Sequence, residues 1–175
     1  MTLRVAVRSI VVIALALLAQ TTVVLDVRVG GVTPDVMLLL PVAAGIVAGP
    51  FEGAVVGFVA GLAADLLVPT PFGLSALVGT VVGFAVGAAT GEAASDVWWF
   101  SSAVALAASA VAVVLYAVLG AVLGEDQFLH VDLGMVLAVV SVCNAVLAWP
   151  AVQVERWALV PAEYRAGRRP ATRRR

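Results

Sequence analysis

Asp65, His130, Cys143 and Asn144 are the side chains of this sequence whose types could act on a ligand or a proton. Asp65 is the one carboxylate set inside an apolar run, closing the stretch GFVAGLAAD at 57–65. A charge at the centre of a bilayer costs about 3 kcal/mol on insertion scales, and such residues often mark function. Asp65 lies three residues from the end of its apolar run at Val68, so it reads equally as a helix-end residue bonded to backbone or water. Asn144, beside Ser141 and Cys143, forms a polar cluster in mid-run. That cluster fits an interhelical hydrogen bond, or a substrate contact. His130 is the sole histidine and Cys143 the sole cysteine, too few for a metal site or an intramolecular disulfide. A membrane serine protease needs its histidine inside a span facing the nucleophile, and His130 falls in a loop. A phosphate-cradling glycine loop ends in lysine, and the chain has none. No catalytic residue, metal ligand or cofactor is assigned, and an enzyme is not expected.

The elements that must carry these residues follow from composition. Of 175 residues, 63% are hydrophobic and 12% charged, with a mean hydropathy of +1.12. A soluble domain is about 45–50% apolar and about 25% charged, so a soluble fold is excluded. A bilayer core of about 30 Å takes about 20 apolar residues as helix. Runs at 9–25, 72–91, 97–124 and 133–153 meet this requirement. The intervening stretch from Val36 to Val68 is too long for one span, and Gly49-Pro50-Phe51-Glu52-Gly53 interrupts it as a turn. Dividing it gives short helices at 36–48 and 53–68. The expected fold is an all-α integral membrane protein of about six transmembrane helices. One membrane domain would cover residues 1–160, and residues 161–175 would form a basic, disordered tail.

Charge sets the orientation. Arg4 and Arg8 precede the first run, and Arg156, Arg165, Arg168, Arg169, Arg173, Arg174 and Arg175 follow the last. Nine of ten arginines thus flank the two ends, with only Arg28 elsewhere. Arginine-rich flanks stay cytoplasmic, so both termini should lie inside and the number of crossings should be even. The outer loops are then 26–35, 69–71 and 125–132, the last holding Glu125, Asp126 and Asp132. In this arrangement Trp98, Trp99, Trp149 and Trp157 all fall at the cytoplasmic interface, which suits amphipathic rings. The formal net charge of −1 therefore conceals a positive inner side. A cleaved signal peptide is disfavoured, because Ala16 to Gln20 make a poor cleavage site. The tail serves as a positive-inside anchor, or holds anionic lipid at about 1 kcal/mol per arginine near the surface. Nucleic acid is not expected as a partner.

Glycines recur every fourth residue at Gly53, Gly57 and Gly61, and again at Gly79, Gly83, Gly87 and Gly91. That spacing puts each set on one helix face, where a second backbone can approach closely. The faces serve either to pack the chain's own helices or to dock another membrane protein.

From Pro34 to Gly91 the sequence resembles the rod shape-determining protein MreD family. The resemblance starts at Pro34-Asp35-Val36-Met37-Leu38-Leu39-Leu40 and passes through the Gly49-Pro50 turn. It continues in GFVAGLAADLLVPTPFGLSALVGTVVGFAVG at 57–87, with Asp65, Pro71 and Gly73 as motif residues. About a third of the chain carries these motifs, and the last two runs match only in hydrophobicity. Where MreD-like proteins commonly have basic inner loops, this chain has Glu52, Glu92 and Asp96. The resemblance implies a non-catalytic scaffold of bacterial cell elongation in the inner membrane. Its implied partners are MreC, the cell-wall glycosyltransferase and transpeptidase and, where present, MreB, besides membrane lipid. It also implies the fold of the substrate-binding subunits of energy-coupling-factor transporters, so a vitamin-transporter subunit is the alternative. Against that alternative stand a 7% aromatic content and the spacing of Ala14, Ala16 and Ala19, which breaks the expected Ala-x-x-x-Ala docking pattern.

Overall fold

The computed structural model describes residues 3–22, 31–67, 71–90, 98–124 and 132–160. Among them the chain is all-helical: α1 (Leu3–Thr22), α2 (Leu39–Ala48), α3 (Pro50–Asp65), α4 (Leu74–Ala89), α5 (Trp98–Val122) and α6 (Leu133–Leu159). Three of these, α1, α5 and α6, are long and apolar enough to cross a membrane. The shorter α2 has 10 residues and α4 has 16, about 15 Å and 24 Å of helix. Helix α3 also has 16 residues, with Glu52 in its first turn and Asp65 at its end.

Several boundaries differ from the sequence expectation. The first helix begins at Leu3 rather than residue 9, placing Arg4 and Arg8 within it. Only Gly49 separates α2 from α3, so Pro50 to Gly53 form the first turn of α3 instead of a loop. Gly49 at φ +96° adopts a backbone that side chains disfavour. Pro50 then sits where a helix needs no N–H, and Glu52 complements the helix dipole. Helix α3 stops at Asp65, three residues before the expected end. Helix α6 runs through Pro150 to Leu159, six residues past the expected 153. The proline leaves the Val146 carbonyl without its usual partner, which membrane helices tolerate. Trp149 consequently lies ten residues, about 15 Å, before the end of α6 rather than near it.

Helix α2 is the centre of the bundle, with eight of its ten residues buried. Leu39, Val42, Ala43 and Ile46 meet Val78, Val82 and Val86 of α4, Ala105 and Ala112 of α5, and Val152 of α6. Leu40 and Ala44, on its other side, join Val12 and Ile13 of α1, Val56 and Ala60 of α3, and Ala158 of α6. Ile10, Leu18, Phe58, Phe84, Val111, Val118, Val142 and Val146 point outward and are exposed. A bundle apolar on its outside as well as its inside suits lipid as solvent.

The start of α1 and the end of α6 lie side by side. Arg8 Nη1 donates to the Trp157 carbonyl at 3.3 Å, and its guanidinium stands 4.9 Å above the Trp157 ring.

Candidate functional site

The residues that carry the family resemblance converge on α3 and α4. Asp65, only 4% exposed, closes α3 and turns its carboxylate onto the first turn of α4. Oδ2 accepts from Gly73 N at 2.8 Å and Ala76 N at 3.3 Å, and Oδ1 from Ser75 N at 3.0 Å. A helix start leaves its first N–H groups without partners and carries partial positive charge. A carboxylate from the preceding helix answers both needs. Gly73 reaches this geometry at φ +97°, with Leu74 N bonded to the Pro71 carbonyl at 3.1 Å. The role of Asp65 here is a cap, the helix-end reading of the sequence.

The glycine ridges face each other within the chain. A Cβ on Gly57 would strike the Gly79 carbonyl, one on Gly53 the Gly83 carbonyl, and one on Gly61 the Ser75 carbonyl. From the other side, a Cβ on Gly79 would come within 2.6 Å of Gly57 O, and one on Gly87 would strike Gly49 and Pro50. Gly45 of α2 joins them, its Cβ position 2.7 Å from Gly83 O. These six ridge glycines are consumed by packing inside the molecule, which leaves them unavailable as a docking face. Gly91 lies outside the described residues.

Pro34 and Asp35 are fixed from α1 and α2. The Gln20 side chain donates Nε2 to the Pro34 carbonyl at 3.0 Å and accepts from Val36 N at 2.9 Å. Asp35 Oδ1 accepts from Leu38 N at 3.1 Å, opening the turn into α2. The residue as a whole is half-buried, yet burial of its carboxyl raises the pKa above the ordinary 3.8. Sequence reasoning missed Gln20, because a lone glutamine near the end of an apolar run looks like a boundary.

Between these anchors lies a cavity of about 540 Å³. All six helices contribute: the end of α1 (Gln20), the approach to α2 (Asp35), the end of α3 (Ala64), the start of α4 (Ser75), the second half of α5 (Tyr116) and the start of α6 (Val136). Its wall is mostly apolar, and Tyr116 is the one aromatic residue among the described residues that line it.

The remaining polar residues lie along the inward stripe of α6. Asn144, fully buried, donates Nδ2 to Ser109 Oγ of α5 at 2.9 Å, the interhelical bond its mid-run position allows. The same stripe holds Ser141 and Glu155, whose Oγ and Oε2 atoms have no hydrogen-bond partner among the described residues. Cys143 is half-buried and free. Glu155, 1% exposed, was not singled out from the sequence. The signal was present, since Ser141, Asn144, Ala148, Val152, Glu155 and Leu159 continue one face at helical spacing past Pro150.

Among the described residues no group of three His, Cys, Asp or Glu could hold a metal. His130, Arg28, Glu92, Asp96, Glu125 and Asp126 lie outside those residues, as do Arg165, Arg168, Arg169, Arg173, Arg174 and Arg175 of the tail. Compared with family models, with curated proteins and with solved structures, the chain matches none of them.

Proposed function

We propose that this chain is a non-catalytic membrane scaffold of bacterial cell elongation, of the MreD type. It would bind MreC and the cell-wall glycosyltransferase and transpeptidase, and MreB where that exists. The observation that carries the reading is the joint use of the resemblance residues. Gly57, Gly61, Asp65, Gly73, Gly79 and Gly83 all serve one capped, glycine-zipped helix pair. Such use fits an architectural role rather than turnover. The reading includes six crossings of the inner membrane with both termini cytoplasmic. The adjacency of Arg8 and Trp157 supports the last point, since it places the start of α1 beside the end of α6.

A second reading, the substrate-binding subunit of an energy-coupling-factor-type vitamin transporter, is favoured by the cavity at the Gln20–Asp35 end. Its wall, largely apolar and with one tyrosine among the described residues, suits a polar, ring-containing solute poorly. Affinity purification of the tagged chain from native membranes tests both readings. Recovery of MreC or a cell-wall synthase is expected. Recovery of peripheral ATPases together with a tightly held vitamin, and without those proteins, would overturn the scaffold in favour of the transporter.

A further inference from the structure

Three features of the cavity bear on what it holds. First, its volume of about 540 Å³ falls within the range of about 300–1,000 Å³ in which proteins enclose drug-sized ligands. Second, the part of its wall between α4, α5 and α6 is mainly apolar, with Val78, Ala112, Val113, Val136 and Val140, whereas polar side chains such as Gln20, Thr33 and Asp35 line the other end. Buried water needs about two to four polar partners, so such a wall holds water badly. Leaving so large an apolar space empty forfeits contacts in proportion to its volume. Third, among the described residues Asp35 is the one charged side chain in the lining, with no arginine or histidine beside it. One of its oxygens is engaged by Leu38 N. An anionic head group would meet a carboxylate there, with no cation among the described residues to offset it.

We propose that the cavity is a binding site for a small, non-anionic amphiphile. Its apolar body lies between α4, α5 and α6, and its hydroxyl- or amine-bearing end meets Asp35. Because all six helices line the space, the occupant bridges the α3–α4 pair and the α5–α6 pair, and its departure loosens both.

The test uses the full chain in phosphatidylcholine nanodiscs, with unfolding followed by tryptophan fluorescence. Its probes are 1-decanoylglycerol, decylamine, decanoate and glycerol. Saturable stabilisation by the first two is expected, with a midpoint about 5 °C or more higher at a ~100-fold excess over Kd. Decanoate and glycerol should produce no saturable shift. Ala112→Leu and, at a less buried wall position, Ala117→Leu should weaken 1-decanoylglycerol at least about tenfold. Each variant's own unfolding transition reports that it is folded. Asp35→Asn should remove any preference for the amine over the glycerol ester. Equal shifts with decanoate, an undiminished response in both folded leucine variants, or no saturable response to 1-decanoylglycerol or decylamine would overturn the proposal. The purified chain alone is measured, so the result is independent of which partners the membrane purification recovers.

Discussion

The α3–α4 and α5–α6 pairs solve the same problem by opposite means. In α3–α4 the side chains are withdrawn, and glycine faces glycine so closely that an added Cβ would strike backbone. Helices α5 and α6 keep their side chains, meet through alanine and valine, and add the buried Asn144–Ser109 bond. Lipid supplies no hydrophobic drive for helices to associate, so close contact or a polar bond must do so. Close backbone contact leaves α3–α4 no freedom. Side-chain packing lets α5 and α6 stand away from their neighbours near Tyr116 and Val140, where the cavity opens.

The contrast is most directly broken at the zipper. Gly57→Ala should cost about 3 kcal/mol or more, because the obstacle is the Gly79 carbonyl and no rotamer change relieves it. Gly83→Leu should be worse. Chemical unfolding in detergent micelles measures both, and a Gly57→Ala variant as stable as the parent would show that the two backbones are not in contact.

Asp65→Ala should cost about 2–3 kcal/mol, since three N–H groups at the start of α4 lose their acceptor. Asp65→Asn should cost about half as much. Hydrogen exchange at Gly73, Ser75 and Ala76 should accelerate in the alanine variant before exchange elsewhere, and uniform acceleration would refute a local cap.

On the other pair, Asn144→Ala should cost only about 0.6–1 kcal/mol, the usual worth of one interhelical hydrogen bond in a membrane. Ser109→Ala should be nearly silent when made on top of it. A double-mutant cycle with no coupling would mean that the bond contributes nothing.

The smallest effect belongs to Asp35. Its folded-state pKa lies above the ordinary 3.8 because burial disfavours the charged form. The folded chain therefore holds this proton more tightly than the unfolded chain does. Stability from this group is highest below about 3.8 and declines as pH rises through the interval up to the folded value. Asp35→Asn should flatten that slope while keeping the cap on Leu38. A slope unchanged by the substitution would place its origin elsewhere.

These two pairs also differ in how far they could be read from sequence. The zipper was legible because period-four glycine is both a geometric statement and a steric one. The sequence left open whether the glycines pack internally or dock a partner, since each ridge's register against the other depends on where α3 ends and α4 begins. Asp65 was visible as an ionisable residue in an apolar run, but its acceptor role depends on where α4 begins. Pro71 and Gly73 mark that start without saying which side chain will cap it. The inward face of α6 was lost at its far end, where Pro150 and the charged pair Glu155–Arg156 imitate a boundary. The cavity was not legible at all, because its wall comes from six helices and no local pattern records a space between them.

Helix α2 gives the burial pattern a consequence for assembly. It is one of the most apolar stretches of the chain, yet α1, α3, α4, α5 and α6 surround it, and at about 15 Å it is half as long as the hydrocarbon layer is thick. A helix that short gains little from entering lipid alone and finds its solvent in the other helices. A bilayer's thickness can match α1, α5 and α6 but not α2. Its burial is supplied by the five helices around it, so α2 depends on all of them for its place in the bundle.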